Sequence, residues 1–177
     1  VLGLLTVQTS RQVGFWLDCE SLFSHALSVT DDNWMMHLNL GNCLSEKGRR
    51  ADAAREYAEA VRIRPRLAAA RNNYALELAA LGRTDEAFAQ YRAALSLEPD
   101  YADALIGLGL LLAEKRNARD AASLFRRVLV ASPGRADAHR YLARLLDAEG
   151  KRFEALSHHR EAARLESARR VTHAPRP

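Results

Sequence analysis

A chain of 177 residues, 48% hydrophobic and 27% charged, has the balance of a globular protein and the length for one sizeable core. The net charge is +4, and residues 160–177, with five arginines and two glutamates, hold +3 of it, so the rest of the chain is near neutral with its signs interspersed. That distribution excludes the basic stripe of a nucleic-acid-binding surface. Cys19 and Cys43 lack the paired spacing of a metal site and are expected to be small buried thiols, with a Cys19–Cys43 disulfide as the alternative, and they neither demand nor exclude an oxidising compartment.

In chain order, residues 1–7 are apolar but far short of the roughly 20 residues of a membrane span. They also lack the basic start and small-residue cleavage site of a signal peptide. A chain that opens on Val1 inside an apolar run reads as the end of something longer. From there a period of 34 residues takes over: Pro65, Pro99 and Pro133; Gly48, Gly82 and Gly150, with Arg116 in the remaining slot; Ala53, Ala87, Ala121 and Ala155; Tyr57, Tyr91, Phe125 and His159. A fixed period of this length marks a stacked array of one supersecondary unit. Gly14, Phe23 and Ala26 lie one period before Gly48, Tyr57 and Ala60, and Cys19 takes the slot of Ala53. Residues 15–29 are therefore expected to form a capping helix within an N-terminal segment, 1–33.

Four full units follow, at 34–67, 68–101, 102–135 and 136–169, without insertion or deletion, and residues 170–177 read as a disordered basic tail. Each unit predicts two amphipathic helices of about 14 residues. In the first, helix A covers 34–47 and stops at Gly48, while helix B covers 51–64 and cannot continue through Pro65. Leu40, Tyr74, Leu108 and Leu142 share a slot on helix A. Beside them Gly41, Ala75, Gly109 and Ala143 let two helices approach closely. The aromatic slot fills the wedge between helices, and His159 breaks it in the last unit, as suits a wetter end face.

The pattern resembles the tetratricopeptide repeat, carried by Leu40-Gly41, Gly48, Ala53, Tyr57, Ala60 and Pro65 and repeated in register over residues 34–169. The tryptophan common at the fourth slot of that repeat is replaced by His37, Arg71, Leu105 and His139. The resemblance implies an all-α, right-handed solenoid of helix-turn-helix units that binds protein or extended peptide on a concave face lined by the A helices. A second likeness spans about 30 residues, Gln12-Val-Gly-Phe-Trp-Leu-Asp-Cys-Glu-Ser-Leu-Phe-Ser-His-Ala-Leu-Ser-Val-Thr, then Asn33 and Leu38-Asn-Leu-Gly. It is similar to the junction in multi-pass proteins of the protein O-mannosyltransferase-like class, where the last membrane helix leads into C-terminal repeats. This implies a membrane-associated parent with extramembrane repeats, joined to the membrane only through a segment upstream of Val1.

The A-helix slots expected to be open are Leu38, Asn39, Asn42 and Glu46; Asn72, Asn73 and Leu76; Asp103, Ile106, Leu110 and Glu114; and Asp137, Arg140, Tyr141, Arg144 and Asp147. Asn39 and Asn73 share one slot, and an asparagine amide pairs with a peptide backbone through a donor and an acceptor at once. The repeat domain of O-GlcNAc transferase uses a similar asparagine ladder; here it stops at Gly107 and Tyr141. The alternative is that these asparagines bond locally. Asn42 and Asn73 also match two slots of the carboxylate clamp, but its basic slots hold Leu38, Asp103 and Gly107, so a chaperone C-terminus would lack its charge-assisted bonds. Arg140 and Arg144, one turn apart, suit an acidic group or else pair with Asp137 and Asp147.

His158 and His159 are adjacent and point to different faces, while His25, His37 and His139 read as lone, so no metal site is expected. No phosphate loop, nucleophile motif or cofactor signature occurs. The expected function is a non-enzymatic scaffold that binds protein or peptide through Asn39, Asn42, Asn72, Asn73, Arg140 and Arg144, with no nucleic acid as partner. Beside the membrane-parent reading stand a free-standing soluble adaptor, cytoplasmic or periplasmic, and a structural module that dimerises through its end units. The sequence leaves the oligomeric state open.

Overall fold

The computed structural model describes Cys19–Thr172, with side chains through residue 169. The apolar run at 1–7, residues 15–18 of the expected capping helix, and 173–177 lie outside the described residues. The described residues form nine α-helices and no strand. They fall into two compact units divided between Leu97 and Glu98.

Unit 1 holds α1 (Cys19–Val29), α2 (Trp34–Glu46), α3 (Arg50–Ile63), α4 (Ala68–Ala80) and α5 (Thr84–Leu97). α2 pairs with α3 and α4 with α5 as hairpins, α3 packs on α4, and α1 packs on α2. Unit 2 holds α6 (Ala102–Glu114), α7 (Ala118–Ala131), α8 (Ala136–Ala148) and α9 (Arg152–Thr172). Here α6 pairs with α7, α8 with α9, and α7 packs on α8.

Most of the helices end where the sequence chemistry stops them. Gly48, Gly82 and Gly150 take the left-handed conformation at the hairpin turns, with φ of 75°, 77° and 77°. That conformation lets the turn amides reach back: Gly48 N–H donates to the Ser45 carbonyl and Arg49 N–H to the Leu44 carbonyl, both at 2.9 Å. Arg116 makes the same turn at φ 60° without glycine's freedom. Asn33 caps α2, its side chain accepting from Met36 N–H at 3.2 Å, and Asn117 caps α7 by accepting from Asp120 N–H at 3.3 Å. Pro65, Pro99 and Pro133 follow α3, α5 and α7, but Ser167 occupies the matching place in the last unit. α9 therefore runs on through it to Thr172, three residues into the segment read as a disordered tail.

The cores are small-residue cores. Ala53, Ala60, Ala87, Ala94, Ala121 and Ala155 are fully shielded from solvent, with Tyr57, Tyr91 and Phe125 wedged beside them. Gly41 and Gly109 are needed for close approach: a Cβ at either would sit 2.6 Å from the ring of Tyr57 or Phe125. In unit 1, Phe23 and Leu27 of α1 pack against Leu40, Leu44, Ala53 and Tyr57.

Cys19 and Cys43 correct the expectation of separate thiols: they form a disulfide, with Cα atoms 6.1 Å apart. α1 docks on α2 as the second helix of a half-repeat. That docking brings the two cysteines together, a proximity visible only once two elements are packed.

In the first, second and fourth repeats the slot that lacks tryptophan holds a polar side chain that bonds across its hairpin. His37 Nδ1 lies 2.8 Å from Glu56 Oε2, and Arg71 Nη1 donates to Gln90 Oε1 at 2.9 Å. His139 Nδ1 lies 2.8 Å from His158 Nδ1. Each pair is separated by 19 residues in sequence. Arg71 Nε also donates to the Pro65 carbonyl at 2.8 Å, and His139 Nε2 donates to the Pro133 carbonyl at 3.1 Å, so the slot ties down the carbonyl of the preceding turn. Leu105, in the same slot of the third repeat, is fully buried.

Candidate functional site

In unit 1 the A-helix face is built by α2 and α4. Tyr57, from α3 behind them, sends its hydroxyl through to donate to Asn42 Oδ1 at 2.7 Å. Asn73 Nδ2 donates to the same oxygen at 3.2 Å, and Asn72 Nδ2 donates to Asn73 Oδ1 at 3.2 Å. Three of the six candidate residues are thus joined in one hydrogen-bonded chain anchored on a buried phenol. Burial pushes the Tyr57 hydroxyl up to about 12, with the Glu77 carboxylate acting in the same direction. The phenol therefore remains a neutral donor at physiological pH.

Asn72 departs from its expected place. It is 7% exposed, as is Ile106 one period on, so this slot turns inward in both repeats instead of lining an open face. Asn39 behaves oppositely. Asn39 is half-buried, and among the described residues its side chain makes no hydrogen bond. Exposed Met35 and Leu76 and half-buried Leu38 share these two helices with it.

Glu77, not singled out from the sequence, is the most buried charge here, at 1% exposure. Ser45 Oγ donates to one of its oxygens and Arg50 Nη1 donates to the other at 3.3 Å. A carboxylate can be kept this deep only when so paired. The sequence carries a signal: Glu77 stands in the slot of Cys43, Leu111 and Leu145, where its neighbours in register are apolar.

In unit 2 the candidate arginines separate. Arg140 donates to Glu166 of α9 at 3.1 Å, and its guanidinium lies 5.9 Å from the Tyr141 ring centroid. Tyr141 stacks on Phe125 at 5.6 Å. Arg144 is exposed and has no ion pair among the described residues. The aspartates expected to pair with them are taken: Asp137 by Arg135 at 2.7 Å and Asp147 by His159 at 2.8 Å. The Arg135 bond holds the Asp137 carboxyl below its usual range. A cleft of about 670 Å³ opens beside Arg135, Asp137, Arg140, Leu165, Glu166 and Arg169. Its acidic side chains already engage Arg135 and Arg140, so it is not an open anion site.

His139, read as lone, is instead half of the His139–His158 pair. The Pro133 carbonyl fixes a proton on His139 Nε2, so in the neutral pair His158 Nδ1–H donates to His139 Nδ1. Among the described residues, no group of three or more His, Cys, Asp or Glu is placed to hold a metal ion, and no helix is long and apolar enough to cross a membrane.

The comparisons agree with this architecture. The family model described as Tetratricopeptide repeat matches residues 12–68 and 107–169, and a second, described as TPR repeat, matches 75–115. Among curated proteins the chain is similar to Protein O-mannosyl-transferase TMTC1 of Homo sapiens, 37% identical over 73 residues, which is 41% of this chain and 8% of that protein. It is also similar to Protein O-mannosyl-transferase TMTC4 of Homo sapiens, 43% identical over 60 residues, or 32% of this chain and 8% of that protein. The matched stretch thus spans less than a tenth of either relative, at 8% of each. Among solved structures, MamA superposes with a TM-score of 0.77 at 20% identity, covering 92% of this chain and 95% of its own. PilF of Pseudomonas aeruginosa gives 0.75 at 22% identity, covering 92% and 72%. YrrB, titled a TPR protein with an unusual peptide-binding site, gives 0.68 at 19%, covering 93% and 82%. At these identities the likeness is one of fold, all-α helical hairpins. With its period, hairpins and family model in agreement over more than half its length, the chain belongs to the tetratricopeptide repeat family.

Proposed function

We propose that the chain is a protein- or peptide-binding module that holds an extended segment on the A-helix face of unit 1, with Asn39 as its polar anchor, and that it is the extramembrane part of a larger O-mannosyltransferase-like membrane protein. The observation that carries the binding reading is the contrast between two residues of one slot. Asn73 spends its amide on Asn42 and Asn72, whereas the half-buried Asn39 amide makes no hydrogen bond among the described residues. A backbone segment laid beside Asn39 would meet a donor and an acceptor in one group, with Leu76 and Met35 available to apolar side chains. Asn42, Asn72 and Asn73 then serve the site by fixing the helices that frame it. Arg144 is a second, separate contact point in unit 2 for an acidic side chain. The partial match to O-mannosyl-transferases supports the parent reading.

The test is a peptide-array screen followed by titration of the hits. Asn39→Ala is expected to weaken them about tenfold, the worth of one or two net hydrogen bonds. Undiminished affinity in that variant refutes the anchor. For the parent, the coding sequence immediately upstream of Val1 is expected to hold apolar spans of about 20 residues. A start Met followed by a polar segment would refute the membrane reading and leave a soluble adaptor.

A further inference from the structure

We infer that the Cys19–Cys43 disulfide is a reducible latch that holds α1 on the first repeat, and that exchange with a dithiol releases this helix alone. The inference stands apart from the peptide-binding reading. α1 contributes no fully buried residue, although every other helix of unit 1 does. Among the described residues, its half-buried Phe23 and Leu27 pack against the Leu40, Leu44, Ala53 and Tyr57 cluster. Its ion pairs include Glu20 with Lys47 and Arg49, all between 31% and 48% exposed, the class of ion pair that adds little. Weak docking combined with one covalent tie describes a latch; a disulfide buried between two independently anchored helices would not.

The two sulfurs are unequal. Cys43 is 4% exposed within α2, whereas Cys19 is only half-buried at the start of α1. A dithiol's thiolate attacks Cys19 Sγ, the S–S bond breaks, and Cys43 leaves as a thiolate that takes up a proton. The second thiol of the reagent then attacks the mixed disulfide and frees Cys19. Two electrons and two protons pass to the protein and the dithiol ends as its own disulfide. Once released, α1 uncovers Leu40 and Leu44, so the redox state of one bond decides whether the first repeat is capped.

Hydrogen exchange on the full chain tests this, after oxidation by glutathione disulfide and after reduction by dithiothreitol. A cross-link between residues 24 apart is expected to suppress opening roughly 10²-fold. Exchange of the α1 amides should rise by about that factor on reduction, while α4 and α5 hold their protection. Cys19→Ala, which leaves buried Cys43 in place, should show the reduced pattern with or without dithiothreitol. Equal α1 exchange in the two redox states overturns the latch. So does loss of protection throughout unit 1, which would make the bond a global staple, or a titration finding two free thiols after oxidation.

Discussion

Gly41→Ala and Gly109→Ala place the same methyl group in the same slot of two repeats, and the structure predicts unequal costs. At each site the added Cβ would lie 2.6 Å from an aromatic ring, Tyr57 in one case and Phe125 in the other, so the ring must move. Such overpacking costs roughly 1–3 kcal/mol, against which alanine in a helix interior gains about 1 kcal/mol over glycine. For Gly109→Ala the net is a destabilisation of about 1 kcal/mol. Tyr57, however, cannot move without drawing its hydroxyl away from Asn42, the acceptor it shares with Asn73. Losing that bond adds about 1 kcal/mol, bringing Gly41→Ala to about 2 kcal/mol. Urea titrations of wild type and both variants, with the repeats followed separately by hydrogen exchange, give the two values. The double variant Gly41→Ala/Tyr57→Ala should be less destabilised than the sum of its single variants, because the methyl group then enters space the ring has vacated. If Gly41→Ala is as stable as wild type, the close approach is not a fixed feature. If the two glycines cost the same, the hydroxyl adds nothing.

Arg116 holds φ 60° where three other turns use glycine, so Arg116→Gly should stabilise by about 0.5 kcal/mol after the added freedom of the unfolded chain is subtracted. Gly82→Ala, whose Cβ meets nothing within 4 Å, should cost about 1 kcal/mol through backbone strain alone. A lower melting temperature for Arg116→Gly, or a higher one for Gly82→Ala, would refute that account. His158 titrates below its ordinary value, first through burial and then through His139 and Arg126, with Glu154 opposing. A lowered histidine pKa means that the unfolded chain binds the proton more readily. Stability is therefore full above about pH 6.5 and falls as pH drops through the folded value. The urea midpoint of unit 2 should fall between about pH 7 and pH 5, and His158→Gln should flatten that slope; an unchanged slope in the variant removes the pair as its cause.

The hairpins were legible because glycine, proline and alanine constrain the backbone locally. Gly48 and Pro65 end their helices whatever surrounds them, and the period multiplies each such signal along the chain. What depends on two elements meeting was not legible. Cys19, in the small slot of Ala53, and Cys43, in the slot of Glu77 and Leu111, look unrelated until α1 is packed on α2. His139 looks lone because its partner lies 19 residues away, across a turn. Asn72 and Ile106 were expected on an open face, and a rotation of a fraction of a turn about the helix axis is enough to bury them. Arg140 and Arg144 were given same-helix partners, but Arg135 and His159 reach those aspartates first. Periodicity fixes which residues share a slot. It leaves open which way the slot points and which neighbours are nearest.

The same register offers an argument about why unit 1 is polar where it is. Two periods on, most of its hydrogen-bonded set is replaced by apolar residues: Tyr57 becomes Phe125, Asn42 becomes Leu110, Asn73 becomes Tyr141, Glu77 becomes Leu145, Ser45 becomes Ala113 and Arg50 becomes Ala118, while Asn72 becomes Arg140. In unit 2 the Phe125–Tyr141 stack at 5.6 Å stands where unit 1 runs Tyr57 through Asn42 to Asn73. The fold is thus built with apolar residues at nearly all of these slots, and stability does not require the polar set. A buried carboxylate and a shared amide oxygen add desolvation cost that the apolar version avoids. What the polar version adds is directional fixing: Glu77, through Ser45 and Arg50, and Asn73, through Asn42, tie α4 to its neighbours. A face whose two helices are held in register by such bonds keeps Asn39 and Leu76 at a constant spacing. In the binding function we propose, that constant spacing is what an extended ligand would meet.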